Sequence, residues 1–205
     1  MAHEPKVYVI EDDPGVCECL RHLLRSVNIP VETYARAEEF LETQNGGRAG
    51  CVVADVCLPG MSGFDLQRTL ARRNIRLPII MITGYGDVPA AVRAMKAGAI
   101  DFLEKPFSGQ RLLDSIAYAL KVDGQVRSAT AQREQLSERF ARLTPRERQV
   151  MELVVAGRTN RSIAGEFGVS EKTVEIHRGQ VMSKMQAGNL AELVRIAALL
   201  ERPED

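Results

Sequence analysis

The stretch CVVADVCLPGMSG, residues 51–63, decides the fold of the first part of the chain. Its first four residues are small or β-branched and uncharged, as in a strand that is buried on both faces of a parallel sheet. The strand would end on a carboxylate, Asp55, and the chain would then turn at Pro59, Gly60 and Gly63. Because an Asp at a strand end can simply cap the following loop, this stretch alone leaves open whether Asp55 is structural or functional.

The sequence around this stretch alternates short apolar runs with helical patterns from residue 6 to about residue 121. Five runs are typical of strands: KVYVI (6–10), VETY (31–34), CVVAD (51–55), PIIMI (78–82) and AIDFL (99–103). Helical patterns lie between and after them, near residues 15–27, 36–44, 63–73, 87–97 and 108–120. The alternation predicts an α/β fold, a doubly wound five-stranded parallel sheet with helices on both faces.

Length and composition set broad limits on the protein class. The chain has 205 residues, enough for two domains, and its 27 basic and 27 acidic residues favour no particular partner. No apolar run approaches the ~20 residues of a membrane span, and no signal-peptide pattern is present. The four cysteines lack the paired spacing of a zinc site, so we expect reduced thiols in a cytoplasmic protein.

Polar side chains collect where the predicted strands end. Glu11 and Asp12 follow the first strand, Asp55 ends the third, and Thr83 and Lys105 follow the fourth and fifth. In a doubly wound sheet these ends meet at one edge, which is where ligands bind. Crowded carboxylates repel each other unless a cation joins them, and their hard oxygen atoms suit Mg²⁺. The set predicts a site where one carboxylate is phosphorylated while Mg²⁺ and a lysine neutralise the developing charge.

The pattern ED…D…TG…KPF resembles the receiver domain of bacterial two-component response regulators over residues 6–121. The resemblance implies that Asp55 is the phospho-acceptor and that Thr83 and Lys105 bind the phosphoryl group. It implies four Mg²⁺ ligands: the carboxylates of Glu11, Asp12 and Asp55 and the main-chain carbonyl of Cys57. Glu11 is a variation, since many members of the family have Asp at its position.

The same resemblance implies a conformational switch. Gly84 would leave room for the phosphoryl group, and Phe102 would turn inward when Thr83 moves toward the phosphate. The peptide bond between Lys105 and Pro106 would be cis, as in the family.

Two further residues bear on how long the phosphorylated state lasts. Cys57 and Tyr85 stand two positions beyond Asp55 and Thr83, where receivers flank the approach of the hydrolytic water. A thiol holds water poorly and a tyrosine ring is bulky, so we expect slow self-dephosphorylation.

The amino-acid composition of the sequence changes at residue 122. Residues 122–142 are polar and free of proline, which predicts a helical linker with a bend at Gly124 left open. Beyond them, Thr144, Pro145 and Glu147 form the pattern of a helix N-terminus with a capping box.

Residues 160–185, NRSIAGEFGVSEKTVEIHRGQVMSKM, predict a helix-turn-helix. Gly168 would end the first helix, and the second would span about 171–185 with Val174, Val181 and Met185 facing the core. Residues 143–200 resemble the LuxR-type DNA-binding domain, which together with a receiver gives a FixJ-type response regulator.

DNA contacts are expected on the second helix and at the start of the first. Phosphate contacts are expected from Asn160, Arg161, Lys172, Thr173 and Arg178, and base contacts from Glu175, Ile176 and Gly179. The alternative is that these charged residues form a helix face that contacts only solvent. In that case Lys172 and Glu175 could pair with each other at i,i+3.

The two resemblances imply a phosphorylation-activated transcriptional regulator rather than an enzyme. Its expected partners are a sensor histidine kinase, double-stranded promoter DNA, RNA polymerase and, when phosphorylated, a second copy; membrane contact is not expected. The domains would be a receiver at 1–121, a linker at 122–142 and a DNA-binding domain at 143–205. The spacing of Val88, Val92 and Met95 is typical of core packing, and we expect Val92, with Lys96 beside it, to be the exposed member on a dimer face.

Three rival functions fit the sequence less well. A phosphatase of the haloacid dehalogenase type would carry Asp two positions beyond its nucleophile, where this chain has Cys57. A dinucleotide-binding enzyme would show GxGxxG after the first strand, and no such run follows it. A receiver that no longer accepts phosphate is disfavoured by the complete set Asp12, Asp55, Thr83 and Lys105.

Overall fold

The computed structural model describes residues 4–43 and 48–201. The chain divides into two compact units, Met1–Arg127 and Ser128–Asp205. None of the helices in the described ranges is long and apolar enough to cross a membrane.

The first unit contains the predicted parallel sheet. Its strands are β1 (Lys6–Ile10), β2 (Val31–Tyr34), β3 (Gly50–Asp55), β4 (Ile79–Thr83) and β5 (Asp101–Glu104), in the order β2-β1-β3-β4-β5. All neighbouring strands are parallel, which confirms the doubly wound fold. β4 begins one residue later than predicted, because Pro78 has no N–H for the ladder; its carbonyl instead accepts from the N–H of Val52.

Helices cover both faces of this sheet. They are α1 (Pro14–Ser26), α2 (Ala37–Glu42), α3 (Gly63–Arg72), α4 (Val88–Lys96) and the long α5 (Gly109–Ala141). One apolar core lies under α2, α3 and α4, and a second lies under α1 and the first part of α5. Both faces of β3 are therefore buried, as its uncharged residues predicted.

The turn after β3 explains the glycine that follows Asp55. A Cβ atom on Gly63 would lie 2.4 Å from the main-chain oxygen of Asp55, closer than real Cβ contacts allow. The N–H of Gly63 donates to the carbonyl of Val56, and Ser62 caps α3 through the N–H of Asp65. The chain thus turns tightly behind Asp55 and leaves its carboxylate at the edge of the sheet.

The prediction of core packing along α4 is wrong for Val88 and Met95, whereas the predicted exposure of Val92 is confirmed. Val88, Val92 and Met95 are all exposed, and Ala94 is the buried residue of this helix. The apolar spacing correctly indicated a helix, but the residue that α4 buries in the core is the small Ala94. The larger side chains are left on the solvent side, where they form an apolar stripe.

α5 is one helix that includes Gly124 and the predicted linker up to Ala141. A Cβ on Gly124 would meet no other atom within 4 Å, so helix packing does not require glycine there. Within the first unit, the N–H of Gly50 donates to Asp123 (2.9 Å), and Arg127 donates to the carbonyl of Arg48 (2.9 Å). The helix therefore contacts the sheet unit as far as residue 127.

The second unit is helical. It contains the end of α5, then α6 (Pro145–Val155), α7 (Asn160–Phe167), α8 (Glu171–Met185) and α9 (Leu190–Glu201). The capping box of Thr144 and Glu147 is present at the start of α6. α7 ends at Gly168, whose φ of +66° lies in the left-handed region that favours glycine, and Ser170 caps α8.

The inward stripe of α8 is confirmed. Val174, Val181 and Met185 are fully buried in one apolar cluster with residues of the other helices of this unit. The opposite side of α8 faces solvent and carries the residues for which DNA contacts are expected.

Candidate phosphorylation site and nucleic-acid surface

Three carboxylates meet at the edge of the sheet. Glu11 and Asp12 follow β1, and Asp55 ends the neighbouring strand β3. One oxygen atom of each lies within 4.8 Å of the others. Glu11 and Asp55 are buried, whereas Asp12 is exposed, so the cluster opens to solvent through Asp12.

Lys105 joins two of these carboxylates. Its Nζ donates to Glu11 Oε2 and to Asp55 Oδ2, each at 2.6 Å. The other oxygen of Asp55, Oδ1, accepts from the N–H of Cys57 (2.8 Å). Both oxygens of Asp55 are therefore held by hydrogen bonds, and its carboxylate has a fixed orientation.

The electrostatics of the cluster favour a cation. Burial raises the pKa of Glu11 and the charge of Asp55 adds to this, while Lys105 acts in the opposite sense. Burial alone would lower the pKa of Lys105, but its hydrogen bonds to Asp55 and Glu11 outweigh burial and the pKa is raised. The formal charges of three ionised carboxylates and one ammonium group sum to −2. Every carboxylate atom that could bind a metal ion is a hard oxygen. The residues thus fit Mg²⁺.

The other residues expected at the site lie at the same edge. Thr83 ends β4, one residue beyond Ile82, which pairs with Asp55 across the sheet. Its buried hydroxyl accepts from the N–H of Tyr85 (3.1 Å). A Cβ on Gly84 would meet no atom within 4 Å, which leaves open space beside Thr83.

Phe102 and the loop after β5 complete this edge. Phe102 is half-buried against the core under α2, α3 and α4. The peptide bond between Lys105 and Pro106 is cis, as the resemblance implied. The sequence did not indicate that Lys105 would bridge Glu11, because that contact spans 94 positions.

The outer face of α8 carries the expected DNA-contacting residues. Lys172, Glu175 and Gly179 are exposed, and Ile176 exposes 54 % of its surface although it is apolar. A Cβ on Gly179 would meet nothing within 4 Å, so close packing by another helix of the described chain does not explain this glycine. Because Gly179 has no side chain, another molecule can approach the backbone of α8 closely at this position.

Four of the residues expected to contact DNA are bonded to one another in two pairs. Lys172 and Glu175 pair at 2.9 Å, as the i,i+3 spacing suggested. Arg178 Nη1 donates to Oδ1 of Asn160, also at 2.9 Å, and this bond joins α8 to the first residue of α7. The sequence did not predict the second pair, since no local pattern connects residues 18 positions apart.

An ion pair between a half-buried lysine and a buried glutamate also joins α8 to α6. Lys184 Nζ lies 2.6 Å from Oε2 and 2.8 Å from Oε1 of Glu147. Glu147 is the same residue that accepts from the N–H of Thr144 in the capping box (2.7 Å). The capping role was predicted from sequence, whereas the bond to Lys184 was not.

A doubly wound sheet with a carboxylate cluster and a lysine at the strand tips, together with a helix-turn-helix unit, defines a phospho-accepting regulator of transcription. Comparison with known families agrees: residues 7–117 match the response regulator receiver domain, and residues 141–197 match the bacterial regulatory proteins of the luxR family. The chain belongs to the two-component response regulators that combine these two domains.

Similar proteins cover nearly the whole chain. Nodulation protein W of Bradyrhizobium diazoefficiens is 47 % identical over 95 % of this chain and 86 % of its own length. The transcriptional regulatory protein FixJ of the same organism is 43 % identical over 96 % of both chains.

Solved structures show the same likeness. The response regulator StyR matches with a TM-score of 0.89 and 46 % identity, over 95 % of this chain and 98 % of that chain. Full-length FixJ from B. japonicum matches with a TM-score of 0.60 and 42 % identity, over 97 % of this chain and 98 % of its own. A beryllofluoride-activated NtrC4 receiver domain dimer is 30 % identical, with a TM-score of 0.54 over 57 % of this chain and 96 % of its own.

Proposed function

We propose that Asp55 accepts a phosphoryl group from a sensor histidine kinase and that this modification activates DNA binding by the luxR-family domain. The observation that carries the proposal is the placement of Asp55 between Lys105 and the carboxylates Glu11 and Asp12. In this reading the receiver is residues 1–121, the linker 122–142 and the DNA-binding domain 143–205. The protein acts in the cytoplasm, where the kinase, promoter DNA and RNA polymerase are its partners.

The chemistry is a phosphoryl transfer. A carboxylate oxygen of Asp55 attacks the phosphorus atom of the donor, a P–O bond forms, and the bond from phosphorus to the leaving group breaks. Lys105, already 2.6 Å from Asp55 Oδ2, places a positive charge beside the transferred group. The hydroxyl of Thr83 leaves the N–H of Tyr85 and donates to a phosphoryl oxygen, and Phe102 turns into the space that Thr83 vacates.

A divalent cation fits this site. Glu11, Asp12, Asp55 and the main-chain carbonyl of Cys57 would hold Mg²⁺, which supplies charge neutralisation for the phosphoryl oxygens when it is bound. Residues on two adjacent strands thus provide the negative charge that attracts the ion.

Intact mass measurement tests the proposal. With acetyl phosphate and Mg²⁺ the full chain should gain the mass of one phosphoryl group, and chelation of the metal should prevent the gain. The phosphorylated protein should also bind promoter DNA more tightly than the unmodified one. If the chain takes up a phosphoryl group but its DNA affinity does not change, the receiver does not control the DNA-binding domain in the proposed way.

The apolar stripe of α4 is the proposed dimer face of the phosphorylated protein, with Val92 at its centre and Lys96 beside it. Val92 exposes 45 % of its surface, next to the exposed Val88 and Met95. The NtrC4 receiver supports the proposal, because that activated domain is a dimer.

Val92→Asp should therefore weaken dimerisation of the phosphorylated chain at least about tenfold, because a carboxylate would be buried without a partner. Sedimentation velocity with acetyl phosphate and Mg²⁺ measures the effect. Val27→Asp is the matched control, since Val27 is 44 % exposed but lies at the end of α1. Normal dimerisation of Val92→Asp would place the dimer face elsewhere.

In DNA binding we propose phosphate contacts for Asn160, Arg161, Lys172, Thr173 and Arg178, and base contacts for Glu175, Ile176 and Gly179. The exposed Ile176 suits an apolar contact with a thymine methyl group, and Gly179 allows close approach of a base edge.

Glu175→Ala should change which bases are preferred, whereas Lys172→Ala should weaken binding to all sequences alike. Both residues belong to the same ion pair, so the two variants lose the same contact within the protein. Selection of bound sequences from a random pool distinguishes them. Identical base preferences for Glu175→Ala and the wild type would remove Glu175 from the base-contacting set.

The lifetime of the phosphorylated state should be long, and Cys57 is the proposed reason. The exposed thiol of Cys57 is a weak hydrogen-bonding group beside the acceptor. Tyr85 does not shield the site as expected, because 90 % of its surface is exposed.

Cys57→Asn should speed loss of the phosphoryl group about 3- to 10-fold, since the amide can hold the attacking water but cannot act as a full general base. Decay of the phosphorylated protein in Mg²⁺ buffer after removal of the donor gives the rate, and Cys57→Ala serves as the control. Slower decay in the Asn variant than in the wild type would contradict this account.

A further inference from the structure

Arg178 lies beside a small hollow and is hydrogen-bonded at the end of its side chain. Its stem lines a small apolar hollow between α6, α8 and α9, together with Val150, Val154, Val181, Met182 and Leu193. Its guanidinium donates through Nη1 to Oδ1 of Asn160 at 2.9 Å. The guanidinium therefore already has a hydrogen-bond partner on the neighbouring helix α7 before any ligand binds.

Asn160 is a well-fixed acceptor for this bond. It is the first residue of α7, and the preceding Thr159 caps the helix by accepting from the N–H of Ser162 (3.2 Å). Because Asn160 begins α7, its backbone position is set by the capped helix rather than by a loop.

The acceptor is also neutral, so the bond does not offset the positive charge of Arg178. An amide oxygen orients a guanidinium without cancelling its positive charge. Lys172 shows the contrast, since its ammonium group is paired with the carboxylate of Glu175. Of the two cations, Arg178 therefore keeps its full charge while its direction is fixed.

We propose that Asn160 is a positioning residue for DNA binding, which holds the guanidinium of Arg178 in the orientation that meets a DNA phosphate. The inference rests on the proposed function, in which Arg178 contacts the DNA backbone, and it replaces a direct phosphate contact by Asn160. Its physical basis is pre-organisation: an arginine that is already ordered loses less conformational freedom on binding.

Arg161 supplies a matched comparison. It is the next residue of α7 and is exposed, but its side chain takes no part in the bond between Asn160 and Arg178. A phosphate contact by Arg161 would be independent of Arg178, whereas the effect of Asn160 must pass through Arg178.

A double-mutant cycle on the full chain tests the inference. Binding to a labelled mixed-sequence duplex of about three helical turns is followed by fluorescence anisotropy across a range of KCl concentrations. The variants are Asn160→Ala, Arg178→Ala and their combination, with Arg161→Ala alone and combined with Arg178→Ala as controls. Thermal unfolding of each variant establishes that the fold is kept.

We expect Asn160→Ala to weaken binding about tenfold and to flatten the salt dependence toward that of Arg178→Ala, although it removes no charge. In the Arg178→Ala background it should have less than about a twofold effect. Arg161→Ala should weaken binding to the same factor in either background.

Two results would overturn the inference. If the effects of Asn160→Ala and Arg178→Ala multiply, Asn160 contacts DNA by itself and only the positioning role is wrong. If Arg178→Ala leaves the affinity for DNA and its salt dependence unchanged, the proposed phosphate contact of Arg178 is wrong. The positioning role of Asn160 is then wrong as well.

Discussion

Replacing Asp55 by Asn should leave the chain unable to take up a phosphoryl group from acetyl phosphate at any Mg²⁺ concentration. An amide has no carboxylate oxygen to attack phosphorus, and it also lowers the charge of the proposed metal site. The change is nearly isosteric, so Oδ1 can still accept from the N–H of Cys57. Loss of phosphorylation would then reflect chemistry rather than loss of the fold, and intact mass measurement detects it directly.

Asp13→Asn is the control for this experiment. Asp13 stands beside the same cluster but caps α1, where its Oδ1 accepts from the N–H groups of Gly15 (2.7 Å) and Val16 (3.0 Å). Asn is as good a capping residue as Asp, so this variant should keep both the helix and wild-type phosphorylation. A phosphoryl group on Asp55→Asn, located by peptide mapping to another carboxylate, would show that Asp55 is not the acceptor.

The second large effect is expected from Glu147→Ala, which should lower the free energy of unfolding of the helical unit by about 2 kcal/mol. The change removes the acceptor for the N–H of Thr144 and leaves Lys184 without its partner. Glu147 is buried and joins α6 to α8, so the loss affects the packing of the helix that is proposed to meet DNA. For a unit of this size, about 2 kcal/mol is a substantial part of the total stability.

Urea unfolding of the full chain can separate the two units. All four tyrosines, Tyr8, Tyr34, Tyr85 and Tyr118, precede Arg127, so tyrosine fluorescence follows the sheet unit. Far-UV circular dichroism follows both units. Glu147→Ala should shift the helical transition to lower urea and leave the fluorescence transition in place, whereas Glu152→Ala, an exposed change on the same helix, should shift neither. Equal shifts in both variants would contradict a special role for Glu147.

The same residue predicts a pH dependence. The hydrogen bond from Lys184 lowers the pKa of Glu147 below its usual 4.5, and burial opposes this only in part. A carboxylate whose pKa is lower in the folded state contributes stability above the unfolded pKa, and that contribution is lost as pH falls through the folded pKa. The difference between the wild type and Glu147→Ala should therefore be constant above about pH 5.5 and narrow below about pH 4. A difference that stays constant to pH 3 would mean that the charge of Glu147 is unimportant.

Much of the fold could be predicted from the sequence because its elements follow local patterns. Uncharged β-branched runs identified the buried strands, and Thr144, Gly168 and Ser170 marked helix ends through capping chemistry that acts within a few residues. Glu11, Asp12, Asp55, Thr83 and Lys105 could be assigned to one edge because parallel strands end on the same side of a sheet.

The exposed stripe of α4 shows where such reasoning fails. The spacing of Val88, Val92 and Met95 indicates which residues share a helix face but does not indicate what that face meets. α4 buries Ala94 in the core, and only the tertiary structure shows that the larger side chains remain in solvent.

The amino-acid sequence by itself determined the order of strands and helices, their caps, and the carboxylates that end the strands. The tertiary structure alone decided the pairings between elements: Lys105 with Glu11 and Asp55, Lys184 with Glu147, and Arg178 with Asn160. The physical reason is the separation along the chain over which each kind of interaction acts. Capping and periodicity act within a few residues along the chain, whereas a salt bridge or hydrogen bond between elements depends on how their helices and strands approach one another.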